Sequence, residues 1–134
     1  MQNWIGVREL DKKLGKIMSD PYCPKRGDIV WLTFTPHAGH EQAGHRPALV
    51  LSPELYNKKV GLALACPITS QVKGYPFEVA IPPGVEVGGV ILADQVKSLD
   101  WKARRARFCC TVPMAIISEV LKKLAPLIAD PGAL

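Results

Sequence analysis

The stretch of residues 27–36, GDIVWLTFTP, decides the fold class. Ile29, Trp31 and Thr33 occupy every second position along it, a period that predicts a half-buried strand. Further short β-rich runs follow, separated by Gly, Pro and Asn: PALVLSP, VGLALACPITS, PFEVAIP, VGGVILADQV and FCCTV. Pro76 and Pro82 are expected to bracket an edge-like strand. Several short strands at this spacing predict a mainly β protein, a compact barrel or sandwich.

The last element is predicted to be a helix. Pro113 suits its first turn, and five apolar residues then recur at spacings that form one stripe: Met114, Ile117, Val120, Leu121 and Leu124. Such a stripe is typical of an amphipathic helix. Pro126 is expected to end or kink this helix, because its ring removes a main-chain donor and clashes with the preceding turn.

Composition excludes several classes of protein. The chain has 134 residues, 48% hydrophobic and 22% charged, which indicates one packed domain rather than a disordered or fibrous chain. Its cysteines, at positions 23, 66, 109 and 110, form no Cys-x-x-Cys pair, which argues against a zinc ribbon or a disulfide scaffold. No apolar run reaches the length of a membrane span, and the N-terminus lacks a signal-peptide core. A reducing cytoplasm is therefore the expected compartment, with no membrane partner.

The positive charge is local. Residues 97–107 carry five cations (Lys97, Lys102, Arg104, Arg105 and Arg107) against Asp100, a balance of +4 that nearly equals the formal excess of +5 for the whole chain. A concentrated patch of this kind suits a polyanion such as nucleic acid, or an acidic protein segment. The alternative is a strand edge guarded against aggregation by Arg and Lys.

Three histidines and a glutamate superficially resemble a metal cluster, since they lie within nine residues: His37, His40, Glu41 and His45. Zinc-binding helices present paired histidines four residues apart on one regular face. Gly39 and Gly44 interrupt this segment, so the spacing has no rigid scaffold. We therefore expect no metal and no other cofactor, and a metal-dependent hydrolase built on these histidines is a minor alternative.

Two stretches carry candidate chemistry. Arg46 precedes Pro47, which favours an extended backbone at residue 46 and would aim a permanently charged fork outward from a rigid element. Thr69, Ser70 and Gln71 end a predicted strand, where hydroxyl groups can donate to a phosphoryl oxygen. Each has a plainer reading: Arg46 would pair with Glu41 on the surface, and Ser and Thr are ordinary turn residues.

The next loop adds a cation and a stacking face. Lys73 and Tyr75 are the combination that grips single-stranded nucleic acid, although Tyr75 before Pro76 would also serve as a structural plug. No nucleophile elbow, phosphate-binding loop or dinucleotide fingerprint is present, and Cys66 lies in an apolar run typical of a core.

Four blocks, in this order, closely resemble the successive motifs of the MazF/PemK toxins of bacterial toxin-antitoxin systems: PKRGDIVWLTF, HEQAGHRPALVLSPELYN, ACPITSQVKGYPFEV and GVILADQVKSLDWKARRA. The likeness runs over residues 24–113. Residues 1–23 are therefore treated as an N-terminal extension of open status, and residues 24–134 as the toxin-like domain. The resemblance implies a small, strongly bent β-barrel with a C-terminal helix, acting as a homodimer. It further implies a metal-independent endoribonuclease that cuts single-stranded RNA at short sequences and is neutralised by a MazE-like antitoxin.

By the same resemblance, the catalytic arginine and threonine of the family fall on Arg46 and Thr69, and the glutamate of the preceding loop falls on Glu41. RNA contacts are expected from Gln42, His45, Ser70, Gln71, Lys73 and Tyr75. Such an enzyme lets the RNA 2′-hydroxyl attack the neighbouring phosphorus, leaving a 2′,3′-cyclic phosphate and a 5′-hydroxyl. The protein must stabilise the added negative charge and orient the attacking oxygen.

Arg46 hardly loses its proton, so it is assigned to charge stabilisation rather than to proton abstraction. The general base stays open between Glu41 and His45. The main alternative function is a non-catalytic toxin of the same fold that poisons a target such as gyrase by binding.

Overall fold

The computed structural model of the protein describes residues 22–34 and 44–130. Its strands are β1 (Asp28–Phe34), β2 (Gly44–Val50), β3 (Ala63–Thr69), β4 (Glu78–Ala80), β5 (Val90–Leu92), β6 (Lys97–Leu99) and β7 (Arg107–Thr111). Its helices are α1 (Glu54–Val60) and α2 (Met114–Ile128), and a short 3-10 turn spans Ala93–Gln95.

The strands form one antiparallel sheet in the order β4-β5-β3-β2-β1-β7, and β6 also pairs with β3. One edge of β3 is shared. Its first half, Ala63 to Ala65, pairs with β6, whereas Ile68 and Thr69 pair with β5. Within the described residues the sheet is not closed, which fits a bent, barrel-like arrangement. The predicted class, mainly β with a C-terminal helix, is confirmed, and β4 lies at the sheet edge as expected from its flanking prolines.

Two apolar clusters cover the two faces of the sheet. The first contains Ile29 together with the buried residues of α2, and we call it the helix-side cluster. The second contains Val30, Leu32 and Trp101, and we call it the Trp101 cluster. The sequence predicted a half-buried β1 with Ile29 facing inward. Instead Ile29 and Val30 are both buried, because each face of β1 has its own cluster.

Helix α1 was not predicted, because its seven residues ELYNKKV carry no apolar stripe. The buried side chain of Asn57 anchors the helix to the rest of the domain. The Asn57 side chain is fully buried, accepts from the Ser52 hydroxyl at 2.5 Å and donates to the Pro24 carbonyl at 2.9 Å. Trp101 Nε1 donates to the Asn57 main-chain carbonyl at 3.0 Å. A polar residue of this kind therefore replaces an apolar stripe as the anchor of the helix.

Helix α2 departs from its prediction at three residues. Ile117, Val120 and Leu124 are buried as expected, but Met114 is 78% exposed and Leu121 is 41% exposed. The stripe is therefore narrower than predicted. The helix also continues past Pro126 to Ile128. So close to the helix end the ring removes only one bond, and Ala129 N–H still donates to the Ala125 carbonyl at 2.9 Å.

The described chain begins with residues that already pack on the sheet. Tyr22 Oη donates to Asp28 Oδ2 at 2.5 Å, and Cys23 is buried in the Trp101 cluster. Tyr22 and Cys23 both belong to the predicted extension, residues 1–23, whose residues 1–21 lie outside the described residues. No helix in the described ranges is both long and apolar enough to cross a membrane. Cys66 is fully buried, which confirms its prediction as a core residue.

Candidate active site

A groove of about 860 Å³ lies over one end of the Trp101 cluster, whose members Leu32, Ala48 and Ala65 form part of its lining. Val87, Gly88 and Leu92 line another part of it. The polar side chains that line the groove are Arg46, Thr69, Ser70, Gln95, Lys97 and Arg104. The groove thus combines an apolar floor with three cations and two hydroxyl groups.

The register of β2 and β3 brings the two predicted catalytic residues together. Ala48 pairs with Pro67 in the antiparallel ladder, so the same register two residues further on sets Arg46 opposite Thr69. Residues two apart on a strand point to the same face. Arg46 lies within β2, not ahead of it as its position before Pro47 suggested, and it is exposed. Both side chains therefore line one groove from neighbouring strands.

The Thr69 hydroxyl is held by its own turn. Its oxygen accepts from the Gln71 main-chain N–H at 3.1 Å. A hydroxyl has one hydrogen to donate and can accept through its lone pairs, so this contact fixes the oxygen and leaves the hydrogen available to a ligand. Ser70 lines the groove beside it and is exposed. The arrangement suits donation to an anionic oxygen.

Gly89, directly before β5, lies against the main chain of Thr69. A Cβ atom on Gly89 would lie 2.2 Å from the Thr69 carbonyl oxygen, and the residue has a φ of +108°. Only glycine allows so close a main-chain approach in this conformation. Gly89 was not predicted to be part of the site, although a glycine doublet, Gly88-Gly89, directly before a β-rich run indicates a close main-chain approach.

Two guanidinium groups lie near the ring of Phe34. The Cζ of Arg104 is 4.5 Å from the ring centroid, and that of Arg46 is 6.0 Å away. Arg104 Nη1 also lies 3.5 Å from the Thr33 carbonyl oxygen. These distances allow cation–π attraction, which gathers positive charge at one end of the groove.

The sequence placed Arg104 and Lys97 in a basic stretch but did not assign them to the site with Arg46, and it passed over Gln95. The tertiary structure brings these three residues into the groove with Arg46, and no local sequence motif indicates this. Among the described residues that line the groove, none is acidic. An anionic ligand therefore meets three cations without a competing carboxylate from this part of the chain.

His45, Gln71, Lys73 and Tyr75 lie outside the lining of the groove. His45 is exposed, and its Nδ1 lies 3.4 Å from Thr33 Oγ1. Gln71, Lys73 and Tyr75 are exposed on the turn that follows Thr69 and Ser70. Glu41 and Gln42, like His37 and His40 of the suggested metal cluster, lie outside the described residues.

The turn carrying Lys73 and Tyr75 is anchored rather than loose. The main-chain N–H groups of Lys73 and Gly74 donate to the Glu78 carboxylate at 3.0 and 3.1 Å. The Tyr75 hydroxyl donates to Asp94, and this hydrogen bond raises the pKa of Tyr75. The Tyr75 ring, 43% exposed, is thus presented from a fixed position beside the groove end.

Fold and groove together define a small antiparallel β protein with a C-terminal helix and a basic, hydroxyl-bearing site. A family model described as PemK-like, MazF-like toxin of type II toxin-antitoxin system matches residues 25–128. The chain belongs to this family, which confirms the resemblance found in the sequence.

Individual relatives agree. The endoribonuclease toxin MazF of Escherichia coli K12 is 50% identical over 111 residues, covering 83% of this chain and 99% of the relative. The endoribonuclease PemK of Escherichia coli is 34% identical over 108 residues, covering 78% and 81%. A MazE-MazF crystal structure from Deinococcus radiodurans matches with a TM-score of 0.77 at 55% identity, covering 81% of this chain and 97% of that one. The names of the curated relatives favour the endoribonuclease prediction over the non-catalytic alternative.

Proposed function

We propose that this protein is a metal-independent endoribonuclease toxin that cuts single-stranded RNA in the cytoplasm, acts as a homodimer and is restrained by a MazE-like antitoxin. The observation that carries the proposal is the convergence of Arg46 and Thr69 on one basic groove. Relatives named endoribonucleases, and a MazE-MazF complex among the similar structures, support it.

In this mechanism the RNA 2′-hydroxyl attacks the adjacent phosphorus in line with the departing 5′-oxygen. A base takes the 2′ proton, and the 5′-oxygen gains a proton as it leaves. Arg46 stabilises the extra negative charge on the phosphoryl oxygens through its forked donors, and Thr69 donates its free hydroxyl hydrogen to the same group. The products are a 2′,3′-cyclic phosphate and a 5′-hydroxyl.

The position of His45 supports our choice of base. His45 is not among the residues that line the groove, whereas the next residue, Arg46, is, which indicates that the two side chains point in different directions. Its contact with Thr33, which also lies outside the lining, agrees with this direction. We therefore assign proton abstraction to Glu41 and leave His45, with Gln42, to contact RNA beyond the groove.

The groove selects unpaired RNA. In-line attack requires a nucleotide to leave helical stacking, and base edges can be read only when they are splayed out. Lys97 and Arg104 neutralise phosphates on either side of the scissile one. Ser70 and Gln71 bind next to the reacting phosphate, and Lys73 with Tyr75 hold a following nucleotide by charge and stacking.

The same charge explains inhibition. An acidic antitoxin segment laid along the groove would meet the three cations that receive phosphates, so antitoxin and RNA would compete for one surface.

A single digestion tests the proposal. The full-length protein is incubated with a long RNA in excess chelator, and the 5′-hydroxyl ends are captured and sequenced. We expect cuts at one short recurring sequence, and none with a Thr69→Val variant that has the same unfolding midpoint. Intact RNA with the wild-type chain, or cleavage only after a divalent ion is restored, would overturn it.

A further inference from the structure

The vicinal cysteines of β7 lie at an irregularity of the sheet. Ile29 of β1 pairs with Cys110, but the next residue, Val30, pairs with Phe108. Cys109 is therefore an extra residue that has no partner on β1. This is the signature of a β-bulge, in which two residues of one strand oppose one residue of the other.

The bulge turns both thiols to the same face. In a regular strand Cys109 and Cys110 would point to opposite faces. Here both pack against the helix-side cluster, and both are half-buried, whereas Phe108 and Thr111 on either side are exposed. Phe108 instead packs edge-on against Tyr22, at a centroid distance of 5.9 Å. Two free thiols thus lie side by side at the margin of the core.

These thiols are poorly placed for a disulfide with each other. Adjacent Cα atoms across a trans peptide are about 3.8 Å apart, whereas disulfide-bonded cysteines usually need at least about 4.4 Å. Burial and the neighbouring Cys109 thiol also raise the pKa of Cys110 to about 11, so it remains protonated at neutral pH. The pair is therefore preserved as two thiols.

We propose that Cys109 and Cys110 form a dithiol site for a trivalent arsenical, R–As=O, and that its occupation disturbs the groove. Soft thiolates select soft, thiophilic centres. An arsenical with one organic group has two positions to fill, which two thiols supply. A structural zinc site usually has four protein ligands. Among the described residues, no group of three or more His, Cys, Asp or Glu side chains is arranged to hold a metal.

The reaction needs no oxidant. Each sulfur forms one As–S bond, the As=O bond breaks, and the two thiol protons leave with the oxygen as water. Arsenic stays trivalent throughout. Because the thiols enter as neutral groups and no proton is released overall, the high pKa of Cys110 does not oppose the equilibrium.

The site is connected to the groove through residues 85–89. The main chain of Glu86 contacts the Cys110 sulfur, and Val85 and Val87 pack against the same cluster as the two cysteines. Val87 also lines the groove, and Gly89 abuts Thr69. An arsenic atom with its substituent, inserted beside Cys110, would displace this segment. The expected loss of cleavage rests on the proposed function, whereas binding itself does not.

The test uses phenylarsine oxide on the reduced full-length protein. Intact mass spectrometry should show one phenylarsine adduct that survives excess 2-mercaptoethanol and is removed by 2,3-dimercaptopropanol. The adduct should map to the tryptic peptide of residues 108–122, not to those holding Cys23 or Cys66. Cys109→Ser and Cys110→Ser should each lose the monothiol-resistant adduct. No resistant adduct on the wild type, or one that persists in a serine variant, would overturn the site.

Cleavage is then compared with and without the compound. The adduct should slow wild-type cleavage at least about tenfold, because small displacements of a catalytic group are costly, and Cys109→Ser should be unaffected. If Cys110→Ser fails to fold, Cys109→Ser alone decides, with its unfolding midpoint as control. An adduct that leaves the cleavage rate unchanged would overturn the link to the groove. A reduced protein that cuts no RNA would contradict the proposed function, while the adduct would still decide the site.

Discussion

Thr69 offers a test at the scale of one hydroxyl. The Thr69 oxygen accepts a hydrogen bond from the Gln71 N–H, so the hydroxyl hydrogen is the atom available to donate to RNA in the proposed mechanism. Thr69→Val keeps the shape and removes the donor, and we expect cleavage to fall by about 10²–10³-fold, as for loss of one oriented donor. Thr69→Ser keeps the donor and should stay within about tenfold of wild type. Single-turnover cleavage measures both, and equal rates for Val and Ser would contradict the assigned role.

Cys66 supplies a prediction about pH. Burial raises its pKa from 9.0 to about 12, so the folded state holds the thiol proton more tightly than the unfolded chain does. Its contribution to stability is therefore complete below pH 9 and is lost as the pH rises from 9 towards 12, by at most about 1.4 kcal/mol per pH unit. Urea unfolding with reductant at pH 8, 9.5 and 10.5 should show this fall.

Cys66→Ala is the control for that measurement. It should be less stable than wild type at every pH because it loses buried contacts. Its stability should nevertheless fall less steeply above pH 9, since only the other groups whose pKa burial raises, Tyr22, Cys23 and Cys110 among the described residues, then contribute to the fall. Equal slopes for the two proteins would show that Cys66 ionises normally in the folded state.

The close packing of the chain before β5 against the end of β3 is tested by comparing two glycines. The comparison separates the cost of backbone strain from the cost of a steric clash. Gly84 and Gly89 both have positive φ, +95° and +108°, but only Gly89 faces the Thr69 main chain. Gly84→Ala should cost about 1 kcal/mol of backbone strain. Gly89→Ala adds a clash and should cost more than about 3 kcal/mol.

Gly89→Ala should also lower cleavage more than its loss of stability explains. Chemical denaturation and RNA cleavage, each compared with Gly84→Ala, provide the measurement. If the two alanine variants behave alike, the end of β3 yields to the new methyl group and Gly89 does not position Thr69.

The sequence predicted those strands and helices whose formation depends on a local residue pattern. The edge strand β4 followed from its two prolines, and α2 followed from its apolar spacing. Helix α1 did not, because its stability depends on Asn57, whose partners Pro24 and Trp101 are distant in sequence. Likewise Arg46 and Thr69 were predicted from a motif, and both line the groove. Arg104 joined them only because β1 and the turn after β6 bring it to the ring of Phe34.

At the scale of the whole molecule, the cations of residues 97–107 do not form one patch, because some line the groove and others do not. Lys97 and Arg104 from residues 97–107 line the groove with Arg46. Lys102 lies over Trp101 instead, 5.5 Å from the ring centroid. The excess charge of +5 therefore overstates the positive charge of the groove, which is lined by three cations among the described residues.

This count predicts the salt dependence of RNA binding. For single strands each neutralised phosphate contributes about −0.7 to the slope of log K against log salt, so the three groove cations give about −2 for an RNA too short to reach Lys73. Between 50 and 200 mM salt, the dissociation constant of a Thr69→Val protein for a short single-stranded RNA should rise about twentyfold. Lys97→Gln should reduce the rise to about sevenfold. Lys122→Gln, on the exposed side of α2, should leave the twentyfold rise unchanged. Fluorescence anisotropy measures all three, and a slope of about −3.5 would mean that the whole excess charge of +5, and not the groove alone, binds the phosphates.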